Sequence, residues 1–408
     1  MTAIVSDHEL ADATSSEQRI VLRNVRAVLL DRIVDDATIV CEQGVIVSVE
    51  ERGAATPGAV DGRGAFCLPG LIDTHSDGLE KEVRPRPTSR FAEDFALRNF
   101  EGRLRAAGIT TVFHGIGFEE RPDHTRTIEQ AEKSCAVIAE RDESPMVPVD
   151  HRVLYRMEAR SERGLAEAEA HFARPEHAHD GGAVLPLVSF EDHSPGQGQY
   201  RDIAKFAASI PEDAIPAGKT REEVVRERID EAEAARAHRD QKLAGLIDHA
   251  RMGRIRLLAH DCEDSGQVLD AHGHWGASVA EFPLTLEAAR AAIGLGMATV
   301  MGAPNVLLGG SHSGNVSAEA TVREGLCTGL ASDYLPATLL AGAFELAERG
   351  AIGLPGAVSL VTAGPAEIAG LRDRGRLEPG MRADLALVEL DGRWPTVRAV
   401  WRAHQPTI

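Results

Sequence analysis

AFCLPGLIDTH (65–75), SRFAEDFALRNFEGRLRAAG (89–108) and ITTVFHGIG (109–117) read in turn as a strand, a helical stretch and a second strand. The unit then repeats. Helix RTIEQAEKSCAVIAERD (126–142) precedes strand HRVLYRME (151–158), and helix SERGLAEAEAHFA (161–173) precedes strand AVLPLVSFED (183–192). A charged helix over roughly 221–252 leads to strand RIRLLAH (254–260), which is followed by SGQVLDAHG (265–273) and strand ASVAEF (277–282). Helix TLEAARAAIGLG (285–296), strand ATVMG (298–302), helix SAEATVREG (317–325) and strand TGLASDY (328–334) complete the series. Eight strands separated by helices predict parallel strands with crossover helices. Closed on themselves, they make an α/β fold, a (β/α)8 TIM-like barrel over 69–377, with its chemistry at the C-terminal strand ends. An open doubly wound sheet usually carries a glycine-rich GxGxxG turn after a strand, and none is present here.

Outward from the barrel the pattern changes. Residues 19–68 are short Val- and Ile-rich runs broken by Gly and acidic turns, and the same character returns in ADLALVELDGRWPTVRAVWRAH (383–404). The two ends, 19–68 and 378–408, are therefore expected to build one small β-sandwich domain, with 1–18 as a flexible tail. The helix around 221–252 is densely charged and reads as a solvated outer helix.

The 408 residues suffice for a barrel plus a small domain. With 63 acidic and 44 basic residues the formal charge is −19, which argues against nucleic acid and anionic lipid as partners. No apolar run is long enough to span a membrane. The N-terminus has no basic or apolar signal region, and five scattered cysteines form no CxxC pair. A cytoplasmic protein with reduced thiols is expected.

Ligand-type residues recur where strands end. His75 and Asp77 follow the first strand, Glu158 ends the third, His193 follows the fourth, His260 ends the fifth and Asp333 ends the eighth. Each alone is ordinarily a satisfied polar group; six on one rim point to a metal site. Alternate strand residues point the same way, so a His-x-Asp pair can share one ion. Imidazole with carboxylate suits a divalent metal such as zinc, iron or manganese. Glu158 could bridge two ions, and Asp333 would take the proton from water as general base.

Cations cluster beside these positions: Lys81, Arg84 and Arg86 after His75, Arg201 and Lys205 after His193, and Arg152 and Arg156 on the third strand. Arginine suits bidentate phosphate recognition. The loop MGAPNVLLGGSHSGNVSAEA (301–320) offers backbone N–H groups around Ser311, with His312 and Asn315 as further donors. It follows the seventh strand, where barrels often bind phosphate. An anionic phosphorylated small molecule is the expected partner. Homo-oligomerisation is left open.

LPGLIDTH (68–75) together with RGRLEPGMRADLALVEL (374–390) resembles the amidohydrolase superfamily. FEDHSPGQGQYRD (190–202), AHDCED (259–264), EFPLT (281–285) and PNVLLGGSHSGN (304–315) look like its diphosphatase branch in the carbon–phosphorus lyase pathway of phosphonate catabolism. The superfamily's usual His-x-His reads His-x-Asp here, which agrees with that branch. The resemblance implies a metal-dependent hydrolase that cleaves a ribosyl phosphonate triphosphate, releases pyrophosphate and leaves a 5-phosphate. It carries metal binding onto His75, Asp77, His193 and His260 and the base onto Asp333, with Glu158 standing where some relatives place a strand-three glutamate. The alternative is an amidohydrolase acting on a C–N bond, such as a cyclic amidase or deaminase. Such substrates do not need Lys81, Arg84 and Arg86 together. A noncatalytic binding protein is disfavoured, because clustered buried charge without a metal is costly.

Overall fold

The computed structural model describes residues 19–403 except 54–56, 87, 121–125, 145, 160, 162, 173–177, 180–181, 211, 213–214 and 311–314. The expected tail over 1–18 and residues 404–408 lie outside the described residues. Five strands come first: β1 (Arg19–Val28), β2 (Ile33–Glu42), β3 (Val45–Glu51), β4 (Val60–Asp61) and β5 (Phe66–Pro69). Next are β6 (Leu71–Ser76), β7 (Ile109–Gly117) and β8 (Asp150–Glu158), then a small hairpin of β9 (Ala178–His179) and β10 (Gly182–Ala183). They are followed by β11 (Leu187–Glu191), β12 (Arg256–His260), β13 (Val279–Glu281), β14 (Ala298–Gly302) and β15 (Gly329–Ala331). The chain ends in β16 (Leu385–Asp391) and β17 (Trp394–Trp401).

These strands form two large sheets. One is a seven-stranded mixed sheet from both ends of the chain, in the order β17-β16-β5-β1-β2-β3 with β4 beside β1. The other runs β15-β14-β13-β12-β11-β8-β7-β6, and the pairs along it are parallel. A bridge between Ser76 and Asp333 brings its two edges together, so the barrel nearly closes. The segment AFCLPGLIDTH, expected as one strand, is divided at Gly70. Phe66–Pro69 belongs to the terminal sheet and Leu71–Ser76 opens the barrel. A Cβ at Gly70 would sit 2.2 Å from Thr110 Oγ1, so only glycine lets the chain pass there.

Side-chain alternation sets the barrel interior. Ile72, Phe113, Leu154, Leu187, Leu258, Val279, Val300 and Ala331, one from each barrel strand, pack as a buried apolar plug. Below it, toward the N-terminal strand ends, lies a buried ion-pair cluster. Arg152 Nε is 3.2 Å from Asp150 Oδ1, and Arg374 holds both Asp150 and Thr111. The expected long helix is two helices, Arg221–Ala234 and Arg236–Arg251, meeting at Ala235. The first starts in a capping box of Thr220 and Glu223. No described helix is long and apolar enough to cross a membrane.

Candidate metal centre

Two residues beyond the plug, the same strand faces turn polar. Arg156 follows Leu154 on β8, His260 follows Leu258 on β12, Glu281 follows Val279 on β13 and Asp333 follows Ala331 after β15. On β6 the pairing shifts register between Asp73 and Ser76. This bulge brings His75, three residues after Ile72, into that layer. The seam is pinned by Asp73, which accepts from Ser332 Oγ at 2.5 Å and from Ser332 N at 3.0 Å.

Three imidazoles meet in this layer. Ring centroids of His75 and His260 are 6.1 Å apart, and those of His193 and His260 are 5.6 Å apart. Each ring has its Nδ1 tied to a buried carboxylate. His75 Nδ1 donates to Glu281 Oε1 at 2.8 Å, His260 Nδ1 to Glu281 Oε2 at 2.8 Å, and His193 Nδ1 to Glu158 Oε2 at 2.9 Å. Ser189 Oγ also donates to Glu281, at 2.6 Å. A carboxylate behind Nδ1 fixes the tautomer and leaves Nε2 to bind a metal. The Nε2 atoms of His75 and His260 lie 3.8 Å from Asp77 Oδ1 and 3.6 Å from Asp261 Oδ1.

The electrostatics agree with a cation here. Burial alone would lower His260, yet Asp261, Glu191 and Glu281 push it up to about 10. His75 is likewise raised, by Glu281 and Asp77 against the effect of burial. Asp333 is raised by its own burial, which outweighs the nearby His75. Three groups of donors have ligand atoms within 4.8 Å of one another: His193 with His260 and Asp261, His75 with Asp77 and Asp333, and Glu191 with His260 and Glu281. So many buried carboxylates call for positive charge beside them, supplied by protonated imidazoles or by a bound ion. The donor set fits a divalent metal. Asp261, Phe282 and Asp333, each just past a barrel strand, have φ of 56°, 51° and 57°. Such strained backbone gathers at functional sites. It sets the Phe282 ring 5.1 Å from that of His75 and 5.3 Å from that of His260.

The cavity above this layer has a volume of about 300 Å³. His75, Asp77, His193, His260 and Asp333 line it, and so does Asn315. The other expected positions lie elsewhere. Glu158 does not line the cavity but stands behind His193. Arg152 is at the opposite end of β8, paired with Asp150 beneath the plug, and so cannot reach a ligand on the rim. Lys81 and Arg86 are exposed, Arg84 is half-buried, and none of the three lines the cavity. Arg201 points to Glu263, at 3.9 Å. Ser311 and His312 lie outside the described residues. Sequence reasoning passed over Glu191, Glu281 and Asp261, although all three stand at strand ends and obey the same rule. It counted Arg156 among the cations without assigning it to the site.

Lys242 supports this arrangement from behind. Its Nζ donates to the carbonyls of Glu158, at 2.5 Å, and Ser161. Burial pushes its pKa down from 10.5 to about 8, against the pull of Glu158 and Glu119. Between those values the unfolded chain binds more protons than the folded one, so stability rises with pH across that window. The gain approaches about 3 kcal/mol. Urea unfolding from pH 7.5 to 10.5 should show it in the wild type and not in Lys242→Met. Equal slopes for both proteins would contradict it.

The chain is 34% identical over 384 residues to the alpha-D-ribose 1-methylphosphonate 5-triphosphate diphosphatase of Escherichia coli (strain K12), covering 94% of this chain and 98% of that one. No protein-family model matches it. Among solved structures it resembles the beta-aspartyl dipeptidase of Fervidobacterium islandicum AW-1, with TM-score 0.58, 12% identity and coverage of 95% and 96% of the two chains. It also resembles a putative prolidase from Bifidobacterium longum, with TM-score 0.57, 18% identity and coverage of 96% and 95%. A zinc-bound adenosine deaminase from Xanthomonas campestris matches with TM-score 0.54, 13% identity and coverage of 95% and 92%. At these identities the structural likeness speaks to the fold.

Proposed function

Because this chain belongs to the alpha-D-ribose 1-methylphosphonate 5-triphosphate diphosphatase family within the amidohydrolase superfamily, we propose that it hydrolyses that triphosphate, releasing pyrophosphate and leaving a 5-phosphate. The observation that carries the reading is the convergence of His75, His193 and His260, with locked Nδ1 atoms, on one cavity shared with Asp333. Zinc, iron and manganese are the ions such donors suit. When bound, such an ion supplies Lewis-acid polarisation and a water of lowered pKa. The protein does the rest. Glu281 and Glu158 hold the imidazoles in one tautomer. Asp333, raised by burial, accepts the proton from the attacking water. Asn315, in the cavity wall, is available to the anionic substrate. A cytoplasmic setting is part of the proposal, and it is consistent with the absence of a disulfide among the described cysteines.

One observation favours a second reading, hydrolysis of a C–N bond. Among the described residues, Arg156 is the only arginine or lysine in the cavity wall, and it is already engaged by carboxylates. An uncharged substrate would tolerate that more readily than a triphosphate. The two readings separate in one experiment. Purified metal-loaded protein should release pyrophosphate from the ribosyl phosphonate triphosphate at least about 100-fold faster, in kcat/KM, than it opens cyclic amides or deaminates nucleosides, a gap of about 3 kcal/mol. Orthophosphate as the sole phosphorus product, or faster amide hydrolysis, would overturn the proposal.

A further inference from the structure

We infer that Arg156 is a built-in cation standing where a second metal ion would otherwise sit, so that the site binds one divalent ion per chain. The inference rests on the metal-centre reading above and adds a stoichiometry to it. Arg156 Nε donates to Glu191 Oε1 at 2.7 Å and Nη2 to Glu191 Oε2 at 2.9 Å. Its Nη1 donates to both oxygens of Asp77, at 2.6 and 2.7 Å. One planar fork thus spans two carboxylates, a pairing that guanidinium geometry suits and an ammonium cannot reproduce.

The pair is built into the barrel. Arg156 is 7% exposed and Glu191 2%. Strand β7 makes room for it with Gly115, where a Cβ would lie 2.6 Å from Asp77 Oδ1 and 3.0 Å from Arg156 Cδ. A second guanidinium backs it: Arg126 Nη2 lies 3.9 Å from Asp77 and 2.7 Å from Glu80, and Arg126 Nη1 is 2.9 Å from Glu119.

Of the three donor groups at the centre, the one formed by His75, Asp77 and Asp333 therefore shares its Asp77 with a fixed positive charge, and the one formed by Glu191, His260 and Glu281 shares its Glu191 with the same charge. An ion drawing on either carboxylate would have to displace Arg156 or sit against it, and like charges at such distance in a dry site repel strongly. The remaining group, His193, His260 and Asp261, has its ligand atoms within 4.8 Å of one another and includes neither Asp77 nor Glu191. That group is where the single ion binds.

The test counts metal. Full-length protein is saturated with Zn²⁺, freed of excess by gel filtration and analysed for zinc per chain. One equivalent is expected for the wild type and two for Arg156→Met, which keeps the bulk and removes the charge. Two equivalents in the wild type overturn the inference and leave the metal-centre reading intact; none overturns both. A folded Arg156→Met that still binds one also overturns it. Should that variant not fold, zinc anomalous diffraction from wild-type crystals decides. A single peak with Arg156 still joining Asp77 to Glu191 is expected. A peak between Asp77 and Glu191, with the guanidinium moved aside, refutes the inference.

Discussion

Replacing Asp333 with Asn should lower turnover by about 10²-fold or more while metal content stays near that of the wild type. Asp333 follows the last barrel strand, lines the cavity and shares one donor group with His75 and Asp77. Its burial raises its pKa, which brings it closer to that of a base working near neutrality. The amide has the same shape and cannot take a proton. The backbone tolerates the change: Asp333 has φ 57°, a left-handed conformation that Asn also adopts readily. Its N–H donates to the His75 carbonyl at 3.0 Å, a bond the substitution preserves. Steady-state rates paired with elemental analysis provide the check. Near wild-type turnover would remove Asp333 from the role of base. Loss of metal in step with loss of rate would make it a ligand instead.

The second large effect is expected from Glu281→Gln, as a loss of metal affinity of about 10- to 100-fold. Glu281 is fully buried and accepts from the Nδ1 atoms of His75 and His260 and from Ser189 Oγ. The two imidazoles hold its carboxylate well below the usual carboxylate range, despite burial. A glutamine offers one accepting oxygen and an NH2 group that only donates. It can keep one imidazole in place, while the other meets a donor and must turn or change tautomer. Metal affinity measured by competition with a chelator should fall, and turnover at saturating metal should fall less. Unchanged affinity would show that the two rings are held by packing alone.

Much of this protein is legible in its linear sequence. The alternation of strand and helix is a local signal, because side-chain periodicity differs between the two. The same local rule placed His75, Asp77, His193, His260 and Asp333 at strand ends, and all of them line one cavity. What misled was depth. Arg152 and Arg156 lie four residues apart on one face of β8, so the sequence treats them alike. At roughly 3.3 Å per residue they stand about 13 Å apart along the strand. The apolar layer that includes Leu154 separates them, leaving Arg152 with Asp150 at the base and Arg156 with Asp77 at the centre.

The sequence by itself therefore determined the fold class and which strand ends line the cavity. Only the tertiary structure decided the partners: that Glu281 joins His75 to His260, that Glu158 stands behind His193, and that Arg156 bridges Asp77 and Glu191. The reason is physical. Strand pattern depends on neighbours one or two residues away. These bonds join residues as far as 206 positions apart, and they form only once parallel strands have settled into one register.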